Sequence, residues 1–495
     1  MYKNISKKNL KHSENYMKRE TINLFIFRRD LRIDDNLALN QLIKKDPDTK
    51  ILYLFIFNPD QIDPQINKYY SKNCVEFMIQ CLNDLNNNLN DSLHYFHGKD
   101  IEILTRLLKI YQINSIGFNE DYTPFSIKRD KTIKSWCIEK NIDCITDQDY
   151  TLFSQKAILT DNNTPYEMFT PYYRKCLLNL INIPESTTLK HPLPPYKNKQ
   201  LPGLIKNIDK FYNNESNNYL ALKGGRENAL LIIKNRINKG EFTNYEKLRN
   251  FPSLNKTTKL SAYIKFGCVS IREVYNSICK RYGVKHGLIR ELFWREFYAN
   301  ITFSFPKVLK NQINPNLKNE AFKEKFNKIP WKYDEIKWRA LIKAKTGYPL
   351  VDAGIKQLIT TGWCHNRCRM VIASFASKDL FIPPNDFEKW FATQLIDYDP
   401  SSNSGGVQWA YSIGCDSQPY FRIFNPLLQG INYDKECKYI KQWLPELKNV
   451  KNEDIHDWPN KYKNYNVNYP QPIVNHSLQS AKNKNIIANS IRSNT

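Results

Sequence analysis

Short apolar runs and longer amphipathic stretches alternate through the first part of the chain. Ile22–Phe27 and Ile51–Phe57 are dense in β-branched and aromatic residues, the texture of parallel strands buried on both faces. A weaker run lies at Ser115–Phe118. Asn36–Ile43 and Asn73–Leu89 carry apolar residues at helical spacing. Strand and helix in alternation predict an α/β domain with a parallel, Rossmann-like sheet over residues 21–150. No Gly-x-Gly-x-x-Gly occurs there, so the domain carries no dinucleotide-binding signature.

From about Lys223 the helical period takes over, in Arg226–Lys239, Ser270–Arg281, Leu288–Phe303 and Tyr348–Thr361. It predicts an all-α second domain over residues 223–474. Residues 151–222, with the Pro- and Lys-rich His191–Pro202, read as an interdomain linker. Residues 1–20 read as a flexible basic arm, and residues 475–495 as a polar, disordered tail.

Composition narrows the partner. The chain has 495 residues and a formal charge of +24, a surplus that points to a polyanion, nucleic acid before membrane, or to a Lys-rich solubilising surface. Eleven scattered cysteines do not form a disulfide framework and suit a reducing compartment. No apolar run reaches the ~20 residues of a membrane span, and the N-terminus lacks a secretion signal. We expect a soluble, intracellular monomer, in cytoplasm or nucleus.

Candidate chemistry concentrates between Glu291 and Arg422. One helix face groups Glu291, Trp294 and Arg295, which suits a flat heterocycle or, more simply, an i,i+4 Glu–Arg pair. Asn366, Arg369 and Met370 share another face. Cys364, His365 and Cys368 suggest a metal, but no fourth ligand is near and Arg367, Arg369 and Lys378 would oppose a dication, so none is expected. Asp397 and Asp399 suit general acid–base work or a structural loop, and Gly405 and Gly406 permit close approach of a ligand. Thr257, Thr258, Lys259, Leu260 and Ser261 could wrap a phosphate ahead of a helix beginning near Ala262, or simply cap it.

Taken in order, several segments resemble the DNA photolyase/cryptochrome family, most of all its class I cyclobutane pyrimidine dimer photolyases. They are Phe27–Leu39, Thr346–Ala353, Trp363–Arg369, Pro419–Pro426, Trp443–Leu447 and Tyr469–Val474. The resemblance implies an α/β antenna domain and a helical domain holding FAD, active as FADH−, with light collected directly or through an antenna pigment: a folate, a deazaflavin, a second flavin or none. It implies that Tyr245 and Thr257 to Ser261 contact the flavin phosphates and ribityl chain. Asn366, Arg369, Asp397 and Asp399 would surround the ring, with Arg369 and Asp397 paired, and Asn403 would face flavin N5. Glu291, Trp294, Asn366, Met370 and Trp409 would receive a flipped lesion, while Arg249, Arg295, Arg367 and Arg422 would serve UV-damaged DNA. Glu291, Asn403, Trp294 and Trp409 are then the expected catalytic residues.

The implied activity is light-driven splitting of cyclobutane dimers. The (6-4) photoproduct branch carries two consecutive histidines where this chain has His365-Asn366, and signalling cryptochromes often add long C-terminal extensions. One element departs from the family pattern. Its three-tryptophan relay to the flavin falls here on Val407, Pro384 and Trp331, leaving only the outermost aromatic. Trp363, Trp390 and Tyr411 are candidates for another route.

Overall fold

The computed structural model describes residues 19–492, apart from 181, 182, 184, 190–193, 213, 214 and 315. Five parallel strands, β1 (Thr21–Phe27), β2 (Ile51–Phe57), β3 (Leu93–His97), β4 (Gln112–Asn119) and β5 (Asp143–Asp147), form one sheet in the order β3-β2-β1-β4-β5. The two strands that the apolar pattern does not predict, β3 and β5, are the sheet edges. Leu-His-Tyr-Phe-His and Asp-Cys-Ile-Thr-Asp mix polar and apolar residues because an edge is only partly covered. Helices α1 (Leu37–Lys45), α2 (Lys72–Asn88), α3 (Asp100–Ile110) and α4 (Pro124–Glu139) complete the α/β domain. Asn36 starts α1 by accepting the Leu39 N–H at 3.3 Å. Sheet growth reverses at β1, which opens a crevice at the carboxyl ends of the strands there.

The stretch 151–222 is more structured than a plain linker. It carries α5 (Phe169–Leu178), and Pro195 bridges Ile51 of β2. His191, Pro192 and Leu193 of the Pro-rich segment, and residues 1–18 of the expected basic arm, lie outside the described residues.

The second domain is helical: α6 (Arg226–Ile232), α7 (Ile271–Tyr282), α8 (Gly287–Ser304), α9 (Pro349–Thr361), α10 (Asn366–Ser374), α11 (Pro384–Gln394), α12 (Pro400–Tyr411), α13 (Pro426–Tyr433) and α14 (His476–Arg492), with shorter helices between. Ser270 and Glu273 form a reciprocal capping box at the start of α7. Gly405 brings α12 against α8, since a Cβ there would stand 2.2 Å from the Tyr298 ring.

Helix α14 corrects the expectation of a disordered tail. Only Ile487 among its apolar residues is fully buried, so it shows no amphipathic stripe in the sequence. Polar contacts dock it instead: His476 Nδ1 lies 2.5 Å from Asp379 Oδ1, and Asn483 Nδ2 donates to the Lys378 carbonyl at 2.9 Å.

Buried ion pairs lock the two domains together. Arg272 on α7 reaches Asp149 at 2.6 Å and Asp35 at 3.0 Å, and Arg32 reaches Asp149 at 2.6 Å, all with side chains at most 1% exposed. Among the described residues no helix is long and apolar enough to cross a membrane.

Candidate functional site

The loop Thr257–Leu260 leads into a short helix, Ser261–Lys265. Lys259 holds φ at +57°, which turns the loop sharply. Its ammonium lies 5.0 Å from the Trp363 ring centroid and has no carboxylate partner among the described residues. Thr257 Oγ1 is buried without a hydrogen-bond partner among the described residues, and Thr258 Oγ1 accepts the Leu260 N–H at 3.3 Å. Arg236, which the sequence analysis missed, donates to the Thr257 carbonyl at 3.0 Å and steadies the turn. An unsatisfied hydroxyl beside an uncompensated cation is the donor set of an anion site. Tyr245, expected beside this loop, is buried, with the Arg249 guanidinium 5.7 Å from its ring.

Three side chains tie this loop to the later segments. Ser261 Oγ donates to Asp397 Oδ2 at 2.7 Å, and Arg369 Nη2 donates to the same oxygen at 2.9 Å. Arg369 Nε also donates to the Cys364 carbonyl at 3.0 Å, which fixes the guanidinium plane. Arg369 and Asp397 therefore form the expected pair. Asn403, on the first turn of α12, donates from Nδ2 to the Glu388 carbonyl at 3.3 Å.

Asp399 is turned elsewhere. Its Oδ1 caps α12 by accepting the Ser402 N–H at 2.9 Å, and its Oδ2 accepts from Arg29 at 2.9 Å and Tyr122 at 3.3 Å. Burial raises the Asp399 carboxyl, but Arg29, Lys265 and Arg295 outweigh it and hold the group well below its ordinary range. Both aspartates are paired with an arginine, Asp397 with Arg369 and Asp399 with Arg29, and Asp399 alone caps a helix.

Glu291 on α8 pairs with Arg249, not with Arg295. Arg295 instead lies 3.2 Å from the fully buried Glu296, its own side chain only 15% exposed. The i,i+4 pair is absent, and Arg295 faces inward rather than toward a DNA surface. Burial raises the Glu291 carboxyl above its usual range, against the pull of Arg249. Trp294 stacks on Phe169 of α5, centroids 3.7 Å apart and planes 7° apart. The supposed linker thus supplies one aromatic support of this region, a contact that no periodicity reveals. Trp409 of α12 lies 6.5 Å from Phe424 at 28°.

Helix α10 opens with buried His365 as its cap, Nδ1 accepting the Arg367 N–H at 3.1 Å. Burial and Arg367 push the His365 imidazole down to about 4. Asn366 next to it is exposed and reaches Met370 Sδ at 3.7 Å. Arg367 packs over the Tyr433 ring at 4.3 Å and donates to Asn250 at 2.8 Å, while Arg422 is exposed. Cys364 and Cys368 are buried, and among the described residues no group of three or more His, Cys, Asp or Glu is arranged to hold a metal.

A cavity of about 650 Å³ opens where the carboxyl ends of β1 and β2 face the helical domain. Arg28, Arg29, Phe57, Tyr69, Lys265 and Tyr398 are among its walls.

Fold and site together define a two-domain protein: a parallel α/β domain joined by buried ion pairs to a helical domain whose loop at Thr257–Leu260 carries a buried hydroxyl without a partner among the described residues. The family model described as DNA photolyase matches residues 23–195, and the model described as FAD binding domain of DNA photolyase matches residues 288–489. The chain belongs to the DNA photolyase family. It is 34% identical over 473 residues to a deoxyribodipyrimidine photo-lyase of Buchnera aphidicola, covering 92% of this chain and 94% of that protein. An archaeal photolyase from Sulfolobus tokodaii, crystallised with two FAD molecules, superposes with a TM-score of 0.80 at 31% identity, over 95% of this chain and all of that one. A cryptochrome of Synechocystis superposes with a TM-score of 0.80 at 25% identity, over 94% and 99%.

Proposed function

We propose that this protein repairs cyclobutane pyrimidine dimers in DNA under blue light, with FADH− as the active cofactor. The 34% identity to a deoxyribodipyrimidine photo-lyase over nearly the whole of both chains supports the reaction. The observation that carries the choice of lesion is the His365-Asn366 step at the head of α10. His365 is buried, spends Nδ1 on its helix cap and stays neutral at physiological pH, and Asn366 cannot exchange a proton. Acid–base work by a pair of adjacent histidines has no counterpart here. An exposed amide can hydrogen-bond a pyrimidine edge, which suffices for a dimer that needs no proton shuffled.

The residues present fit FAD. Thr257 and Lys259, with their unmet donor capacity, would hold its diphosphate with Tyr245, Thr258, Leu260 and Ser261 around the linker chain. Arg369, Asp397 and Asn403 would border the ring, with Asp399 acting through the cap of α12. When bound and reduced, the flavin supplies the electron that light drives into the dimer and takes it back once the cyclobutane ring is open. The protein contributes orientation and electrostatics. Trp294, held flat by Phe169, and Trp409 give the extruded dimer two apolar walls. Arg249 neutralises Glu291 in the free protein. A DNA phosphate that draws Arg249 away removes the charge that lowers the Glu291 carboxyl, whose raised affinity for a proton then lets it donate to a pyrimidine carbonyl. Arg249, Arg367 and Arg422 bind phosphates without reading sequence.

The 650 Å³ cavity lies at the switch point of the sheet, the usual ligand position in such folds, and its aromatic and basic walls suit a planar, anionic pigment. We assign the antenna to it. A second flavin is the occupant that the Sulfolobus tokodaii relative favours.

The test is illumination of the chemically reduced protein with two oligonucleotides, one carrying a cyclobutane thymine dimer and one a (6-4) photoproduct. Only the first is restored to intact thymines. Restoration of the second, or of neither, contradicts the proposal.

A further inference from the structure

The three positions expected to relay electrons to the flavin hold Val407, Pro384 and Trp331, yet aromatic rings still connect this region to the surface. On α11, the Trp390 ring lies 6.1 Å from that of Phe387, a fully buried residue one turn back and next to Glu388, whose carbonyl accepts from Asn403. The Trp390 ring also lies 6.0 Å from that of Trp338, at 80°. Trp338 lies 6.1 Å from Tyr333, whose side chain is at the surface. Tyr333 Oη donates to Glu335 Oε2 at 2.7 Å. A second branch runs from Phe387 to Tyr411 at 5.9 Å and on to Trp331 at 5.4 Å.

Chemistry separates the branches. One-electron oxidation of a phenol is favourable only if its proton can leave at the same time, and the Tyr411 hydroxyl is buried with no hydrogen-bond partner among the described residues. Phe387 offers no oxidisable ring of comparable ease. The other branch has two indoles in contact, then a phenol already hydrogen-bonded to a carboxylate at the solvent edge.

We propose that Trp390, Trp338 and Tyr333 form the electron path that reduces oxidised flavin in this protein, in place of the interrupted relay. This rests on the flavin reading above. One electron leaves Trp390 for the photoexcited oxidised flavin. Trp338 refills Trp390, and Tyr333 refills Trp338 while its phenolic proton passes to Glu335. A thiolate in solution then gives one electron to Tyr333, which recovers its proton from Glu335. A second photon repeats the cycle, two oxidised thiols close to a disulfide, and the one proton that the flavin gains in its two-electron reduction comes from solvent. Repair itself begins from reduced flavin and does not use the path.

The experiment follows photoreduction of the full-length protein carrying oxidised FAD, under blue light with dithiothreitol, by steady-state and transient absorption. Trp338→Phe slows flavin reduction by about tenfold or more at unchanged FAD content and melting temperature. Tyr333→Phe, at the exposed end where folding is not at stake, loses the tyrosyl band and leaves a Trp radical that recombines. Wild-type rates in Trp338→Phe, or a loss confined to Trp331→Phe, overturn the path. Protein that retains no FAD overturns the flavin reading itself, and is told apart by its lack of visible absorbance.

Discussion

Arg29 Nη2 lies 2.9 Å from Asp399 Oδ2, joining the end of β1 to the cap of α12 with both side chains 8% exposed. Because α12 also carries Asn403, Val407 and Trp409, this one pair ties the α/β domain to a helix of the proposed site. Removing one member of a buried pair strands the other, at a cost of about 3–5 kcal/mol. Arg29→Ala therefore lowers the melting temperature clearly and weakens flavin retention, read together by thermal unfolding and bound FAD. Burial raises the Asp399 carboxyl but the surrounding cations hold it down, so its folded value lies below its unfolded one. Its stabilisation is full above the ordinary carboxyl range and is lost as the pH falls through the depressed folded value. In Asp399→Asn that acid-side loss is absent, because the stabilisation is already gone at neutral pH.

Glu388 has the opposite sign. It is fully buried in α11 with Asn319 Nδ2 at 3.2 Å from both oxygens, and burial pushes its carboxyl up to about 8. Its contribution is full below the unfolded value of about 4.3 and is lost as the pH rises through about 8. Glu388→Gln flattens the decline in melting temperature between mildly acidic and mildly alkaline pH, measured as a pH series against wild type.

Trp409 and Trp294 are proposed as lesion walls, and base–aromatic stacking contributes about 1–3 kcal/mol per base. Trp409→Ala weakens binding to dimer-containing DNA by roughly that much, while binding to undamaged duplex of the same sequence is unchanged. Trp294→Ala loses the Phe169 stack too, so it lowers stability as well as lesion affinity. Fluorescence anisotropy with matched damaged and intact duplexes separates the effects.

Arg422 is exposed and pairs with no carboxylate among the described residues. If it contacts a phosphate, Arg422→Ala weakens damaged and undamaged DNA alike and lowers the slope of log affinity against log salt by about one. A loss of discrimination with an unchanged slope contradicts that role.

How far the sequence reaches depends on whether a feature is local. The central strands β1 and β2 are continuous apolar runs and are predicted within a residue, whereas β3 and β5, half-covered edges, give no run to find. Helix α14 is held by His476 and Asn483 to distant backbone and carboxyl groups, so its composition reads as disorder. In the site, motif order brings Ser261, Arg369 and Asp397 into view, and they do meet. Partners from far along the chain stay hidden. Phe169 behind Trp294, Arg249 on Glu291 and Arg29 on Asp399 are products of folding, 125, 42 and 370 residues apart, respectively, beyond any helical or strand period. Arg295 shows the converse, a residue that shares a helix turn with Glu291 and yet turns to its neighbour Glu296.

The central claim concerns where the dimerised bases go, and a crystal structure of the reduced protein with a dimer-containing duplex measures that directly. It is expected to show the dimer extruded from the helix, lying between Trp294 and Trp409 beside the flavin, with Glu291 released from Arg249 and within hydrogen-bond reach of a pyrimidine carbonyl. A dimer still stacked in the duplex, or bound away from these side chains, contradicts the account.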